Sequence, residues 1–579
     1  MSASNPTISL LCCLLLTSGG GNALAAGEVL YNGIRLPAEW PVANRDPQSY
    51  EPMTVPYLES PPKVIPITIG RQLFIDDFLI EHTDLQRTFH QAEKYAGNPV
   101  LFPTTQGELR SLETEHARRE GGAQPAVCYL GHGGTFYDPL EKAFVMFYTA
   151  GWRGGLAKAI SRDGMTWDKP EWGLESENLI LPPGMDLAGG DNAVWLDLGA
   201  EHSGERIKFM TERTYGLENR TKVTTSHTLH LIDEKGKLSP AVPAGRAADY
   251  CSFFYNPFRK VWVYSVKRNG PHGRTRHYAE SPEFLAPQVF DRSVFWVGAD
   301  RLDEPDPRIG DPPQLYSLSA VAYESILLGA FQIHLGPKNS ICDLGGFPKI
   351  TEIKLGFSRD GFHWERPDRR AFIGATRRDG DWDRGYVHTT TGVCLVVGDK
   401  LYFPYTAYSG VAPDGQRGMY TGASVGLAML RRDGFASMEA KERTGSLTTR
   451  PVVFNGRYLF VNAAIDRGGE LLVEVLDANG EVIQPFSVGN CVAVSGDSTL
   501  REVTWRNATD LSALSGKSVR FRFRLKQGSL YAFWISPDKS GASHGYVAAG
   551  GPGFDGPLDT RGSAAYEAIG TRPAVVSLP

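Results

Sequence analysis

The phrase Ser161-Arg-Asp-Gly-Met-Thr-Trp167 returns almost letter for letter as Ser358-Arg-Asp-Gly-Phe-His-Trp364, and in shorter form as Arg431-Arg-Asp-Gly-Phe435. Asp-Gly between apolar runs reads as a tight hairpin, because glycine supplies the positive φ that such a turn needs. A hairpin repeated this far apart means a repeated supersecondary unit, and repetition constrains a fold before any local propensity does. A second repeated phrase, Phe136-Tyr-Asp-Pro139 and Phe254-Tyr-Asn-Pro257, precedes an aromatic strand each time.

Around these phrases the chain parses into five units of roughly 55–70 residues, each able to form a four-stranded blade. Strands are predicted at 134–148 and 156–160 in the first; 192–198, 206–211 and 224–232 in the second; and 250–264 in the third. The fourth has 315–323, 326–333 and 352–357, and the fifth 392–397, 400–405 and 423–430. Helical periodicity is scarce. Short runs rich in Val, Ile, Phe, Tyr and Trp alternate with turn residues, and 64 Gly and 38 Pro in 579 residues supply the turns. The expected fold is all-β, a five-bladed β-propeller, with Leu73-Phe-Ile-Asp-Asp-Phe-Leu-Ile80 as the strand that closes the fifth blade. After residue 445 the texture changes: Arg520, Arg522 and Arg524 alternate with apolar residues, giving one wet and one buried face. A C-terminal antiparallel β-sandwich is expected there. The domains are then 27–66, a Pro-rich N-terminal wrap; 67–444, the propeller; and 445–579, the sandwich and tail.

Residues 1–26 carry no charge, hold an apolar run and end in Ala23-Leu-Ala25, the pattern of a secretory signal peptide. A secreted or periplasmic protein is expected, and no later segment has the length of a membrane span. A net charge of −5 gives no electrostatic reason for nucleic acid. Beyond the leader, Cys128, Cys251, Cys342, Cys394 and Cys491 are scattered, without the C-x-x-C spacing of a zinc site. Neither a P-loop nor a G-x-S-x-G elbow occurs, and no cofactor or metal is implied.

The chain resembles the five-bladed propeller glycosidases of glycoside hydrolase families 32 and 43. It is more closely similar to secreted bacterial proteins described as family 32 N-terminal domain-like. The resemblance spans about residues 65–540. It is carried by Leu73-Phe-Ile-Asp-Asp-Phe-Leu-Ile-Glu81, Asn98-Pro-Val-Leu-Phe-Pro103, the Asp-Gly hairpins, Val425-Gly-Leu-Ala-Met-Leu-Arg-Arg-Asp-Gly-Phe435 and the C-terminal strands. It implies a carbohydrate partner and hydrolysis of a plant or algal poly- or oligosaccharide. In family 32 the first-blade carboxylate lies in an Asn-Asp-Pro-Asn-Gly motif. Here the matching stretch is Gly131-His132-Gly133-Gly134, with no acid, which puts the simple retaining mechanism in doubt.

Glycoside hydrolysis needs two carboxylates flanking the scissile bond. In a propeller these belong at the starts of innermost strands, where the blades converge on a funnel. Asp191 and Asp249 stand at such starts in blades two and three, the first as base or pKa modulator and the second as acid or base. Glu324, in the fourth-blade strand pair, ranks third. His132 and His388 begin strands of blades one and five, where imidazoles can bind hydroxyls or move protons. Trp152, Tyr316 and Tyr386 are candidate sugar platforms, and Arg274 and Arg276 candidate partners for an acidic sugar. Three functions compete: a hydrolase, a carbohydrate-binding protein without turnover, and a polysaccharide lyase using His or Tyr. Two funnel carboxylates favour the first, one acid or none the second, and a His/Tyr/Arg cluster the third.

Overall fold

The computed structural model describes residues 27–110, 124–131, 133–171, 178–182, 192–215 and 224–567. The expected signal peptide lies outside them. Five antiparallel sheets follow one another along the chain as blades, each with its first strand innermost. In blade one, the broken inner strand Cys128–Tyr129 and Thr135–Asp138 pairs with Ala143–Ala150, and that strand with Gly155–Ser161. Blade two is Ala193–Leu196, Ile207–Tyr215, Thr224–Ile232 and Val242–Arg246. Blade three is Ser252–Asn256, Val261–Gly270, Gly273–Ser281 and Val294–Val297. Blade four is Gln314–Glu324, Ile326–Gly336 and Ile350–Ser358, with single bridges to Glu365 and Ile373 at its edge. Blade five has a broken inner strand, Gly385–His388 and Leu395–Val397, then Lys400–Tyr408 and Ala423–Arg431.

The repeated hairpins do what their sequence requires. Asp163 accepts from the backbone N–H groups of Met165 and Thr166, and Asp360 from those of Phe362 and His363. Gly164 and Gly361 take the positive φ, +74° and +87°. The third copy differs: Asp433 itself sits at φ 62°, and the turn leads out of the propeller into Ala436–Ala440 of another sheet.

The ring is closed by a different strand from the one expected. Glu93–Lys94 pairs with Met429 and Ala428 on the outer edge of blade five, and Tyr95 and Val100 donate to the carbonyls of Leu427 and Val425. Leu73 pairs instead with Ala532, and Ile80–Thr83 with 447–449. Both belong to an eight-stranded antiparallel sheet built on two long strands, Tyr458–Leu476 and Arg520–Ser536. The aromatic pattern of 73–80 reads as a propeller strand locally, but its Phe74 and Phe78 are filled against Phe523, Phe533 and Tyr57. Along Arg520–Ser536, Phe521, Phe523 and Leu525 are buried while Arg522 and Arg524 reach Glu474.

After that sheet the chain returns to the propeller axis. Tyr546–Val547 pairs with Glu324 and Tyr323 of blade four. Ala548 and Ala549 donate to Ala322 and Cys394, and Ala549 accepts from Tyr137 of blade one. Residues 546–549 thus bind the far ends of three inner strands and plug one end of the channel. The other end, where the inner strands start, is the funnel mouth.

Candidate functional site at the funnel mouth

Tyr129, Tyr250, Tyr316 and Tyr386 stand at the starts of the inner strands of blades one, three, four and five, and they gather around His388. His388 Nδ1 is 2.6 Å from the Tyr250 hydroxyl and 3.4 Å from that of Tyr129. The Tyr316 and Tyr386 hydroxyls are 2.8 Å apart. Tyr250 and Tyr386 hold φ of 60° and 48°, left-handed values that cost a non-glycine residue about 1–2 kcal/mol each. Such strain persists where the surroundings over-determine it, and here it turns both rings onto one histidine.

Cations surround this aromatic wall. Lys267, Arg274 and Lys349 lie 4.3, 5.3 and 5.5 Å from the centre of the Tyr316 ring, within the range where a ring face attracts a cation. Lys349 Nζ donates to Asn339 Oδ1 at 2.9 Å and to the Tyr420 hydroxyl at 3.3 Å. Burial, with Arg274 and Lys267 adding repulsion, brings its ammonium down to about 7. Burial and the same cations, Lys349 foremost, push His334 down to about 2, so this imidazole is neutral.

Asp249 meets Lys267 Nζ at 2.6 Å with 47% of its side chain exposed. Burial opposes its ionisation, but Lys267, Lys349 and Arg274 together outweigh it and hold the carboxyl at about 2. Asp249 is therefore a carboxylate at working pH, suited to act as a base or to stabilise positive charge and unsuited to donate a proton. Beside it, His227 is buried with neither ring nitrogen partnered, and burial lowers it to about 4.

The other expected residues divide sharply. Asp191 and His132 lie outside the described residues; Asn192, next to the former, is buried with its side-chain amide unpartnered. Tyr316, Tyr386 and His388 meet in one cluster. Trp152 reaches the same wall, but stacks on Tyr420 at 4.2 Å, so one face of its ring is already covered. Arg274 bonds Gln314 Oε1 at 2.7 Å and lines an open cleft of about 340 Å³ beside the wall. Arg276 is not available to a sugar: fully buried, it donates to the backbone carbonyls of Tyr250, Ser265 and Tyr316, tying blade three to blade four.

Glu324 is not in the funnel. It ends the inner strand that Tyr316 begins, about 26 Å along at strand rise. There it is fully buried, bonded to Arg432 at 3.0 Å and to Ser543 at 2.7 Å, with Arg71 at 3.4 Å. Strand alternation alone could not reveal this, since the partners come from residues 71, 432 and 543. Conversely, Lys267 and His334 sit on second strands and Lys349 just before a third strand, with no sequence phrase to mark them. Tyr129 and Tyr250 did carry a signal, the same strand-start register as Tyr316 and Tyr386.

Among the described residues no three His, Cys, Asp or Glu side chains are grouped to hold a metal, and no helix is long and apolar enough to cross a membrane. No family model and no curated protein matches this chain. Solved structures with some likeness include an N-acetylgalactosamine deacetylase from F. plautii in complex with blood group B trisaccharide. It has 14% identity over 60% of this chain and 96% of that one, at a TM-score of 0.40. A thermostable family-43 glycoside hydrolase has 11% identity over 54% and 93%, at 0.36. A family 32 beta-fructofuranosidase from Bombyx mori has 10% over 71% and 92%, at 0.34. The propeller assignment rests on the strand pairing, not on these scores.

Proposed function

We propose that this chain is an exported carbohydrate-active enzyme that cleaves glycosidic bonds at the funnel mouth. The observation that carries the reading is Asp249: a half-exposed, ionised carboxylate at the start of an inner strand, paired with the buried Lys267 and within the field of Lys349, whose ammonium burial brings down to about 7. An ionised carboxylate stabilises an oxocarbenium-like transition state or activates water, and a group with a pKa near 7 is matched to proton delivery. Asp191, outside the described residues and next to Asn192 in sequence, is kept as the candidate second carboxylate. Tyr129, Tyr250, Tyr316 and Tyr386, each 5% exposed or less, form the floor of that mouth and offer a sugar ring only their outermost edges.

The Tyr250–His388 contact at 2.6 Å, among three cations, favours a second reading. Elimination from a uronate uses a Tyr or His base with cations neutralising the carboxylate. One experiment separates the two. The chain lacking residues 1–26 is incubated with neutral and acidic plant and algal glycans, beside its Asp249→Asn and Asp191→Asn variants. Reducing ends without ultraviolet absorbance, lost in either variant, support hydrolysis; absorbance of an unsaturated uronate supports elimination; no product from any glycan overturns both.

A further inference from the structure

The cleft of about 340 Å³ beside the tyrosine wall is lined by Arg274, Asp311, Gln314, His334, Lys338 and Asn339, among others. Among the described residues neither Arg274 nor Lys338 forms an ion pair. Gln314 accepts from the Arg274 backbone N–H at 3.2 Å as well as from its guanidinium, which fixes the arginine's direction. The ring of His334 lies along the cleft wall, 97% buried, parallel to Tyr316, and neither of its nitrogens has a hydrogen-bond partner. Buried polar groups are rarely left unsatisfied without a reason. Behind the wall stand Lys267 and Lys349, the first neutralised by Asp249. Among the described residues Asp311 is the one carboxylate that lines the cleft itself. Positive charge therefore exceeds negative in a concave, solvent-open site.

Resting on the carbohydrate reading above, we propose that this cleft is a subsite for an anionic substituent, the carboxylate of a uronate or a sulfate ester. Arg274 and Lys338 pair with the oxyanion, and His334 donates one N–H to it. An arginine held by Gln314 is pre-aimed for the paired oxygens of such a group. His334 stays neutral with one proton, which is the form that can donate without adding to the repulsion among the cations.

The test is binding, kept apart from turnover by using the Asp249→Asn full chain. Calorimetry compares oligogalacturonate, sulfated galactan oligosaccharide and the neutral galactan oligosaccharide of equal length, with inorganic sulfate as competitor. At least one acidic ligand is expected to bind about tenfold tighter than the neutral one. The acidic-to-neutral ratio falls about tenfold in Arg274→Gln and in Lys338→Gln, the latter exposed and without consequence for folding. Histidine ring signals, assigned with His334→Gln, shift with the acidic ligand only. Which acidic ligand binds tells carboxylate from sulfate. Equal affinity for acidic and neutral ligands overturns the subsite, as does a preference that survives both variants. Cleavage of neutral glycans by the unaltered chain without acidic preference ends this inference and leaves the hydrolytic reading intact. Acidic preference with no cleavage of any glycan does the reverse.

Discussion

Asp249 is the residue on which most turns, and two consequences follow from its pairing with Lys267. Asp249→Asn is expected to lower kcat at least a hundredfold and, because it leaves the buried Lys267 ammonium without its carboxylate, to lower the melting temperature modestly as well. Its folded pKa, about 2, lies below the ordinary value of 3.8. The stability this contributes is present above pH 4 and lost as pH falls towards 2. With nearly half of the side chain open to water, screening keeps that contribution to about 1 kcal/mol or less. Lys349 works in the opposite sense. The unfolded lysine keeps its proton up to about 10.5, whereas the folded one releases it near 7. Between those values the unfolded chain binds more protons, so this group makes stability climb with pH, and below 7 the penalty of a buried ammonium is carried in full. Lys349→Met is expected to flatten the rise in unfolding free energy between about pH 7 and pH 9, a change on the order of 2 kcal/mol, measurable by urea titration. These residues also show what the sequence could disclose. Asp249, Tyr316, Tyr386 and His388 were legible because strand starts in a propeller face the funnel whatever lies between them. Lys349 and His334 were not, because a residue on a second strand or on the loop before a third reaches the site only through the packing of its blade.

At the scale of elements, the hairpins were legible and the closures were not, for one physical reason. A turn such as Ser358-Arg-Asp-Gly361 is settled by contacts within a few residues, whereas the seal of blade five joins Asn98 to Leu427, 329 residues apart. Nothing in the aromatic run 73–80 distinguishes it from a closing strand until its partners in Arg520–Ser536 are known. The seal is also testable. Tyr95 donates its N–H to Leu427 at 2.8 Å, so Tyr95→Pro removes a ladder bond and is expected to cost about 3 kcal/mol, read as a lower urea midpoint. Tyr95→Phe keeps the N–H and is expected to leave the midpoint nearly unchanged. Glu324 makes a sharper case. It forms ion pairs with two fully buried arginines, Arg71 and Arg432, which also pair with Asp433 and Asp559. Glu324→Gln leaves those cations short of an anion and is expected to cost about 3–5 kcal/mol in unfolding free energy. Asp249→Asn is expected to lose activity even in the folded fraction, whereas Glu324→Gln keeps it there, so the pair of measurements separates Glu324 from Asp249.

The whole molecule is bound together by that same ionic node. Arg71 and Asp559 come from the flanks of the C-terminal sheet, Glu324 from blade four, and Arg432 and Asp433 from the turn that leaves blade five. Residues 546–549 then cross back to seal the axis, bonding Tyr137, Ala322 and Cys394 on three blades. Val547 and Ala549 are wholly buried there, within the same apolar core as the blades. The propeller therefore cannot shed the C-terminal sheet without exposing the ends of its own inner strands and leaving buried charges unpaired. The expectation is one cooperative transition for both parts, although a chain of this length would ordinarily unfold in steps. Fluorescence of Trp534, in the sheet, and of Trp296, in blade three, can be isolated by replacing the remaining tryptophans with phenylalanine. Their urea midpoints are expected to coincide. A chain ending at residue 445, which keeps every blade and its closing strand, is expected to be insoluble or to bind a hydrophobic dye, because the plug is gone. Separate midpoints, or a soluble and compact truncated propeller, would show that the seal at 546–549 is an attachment and not a structural part of the ring.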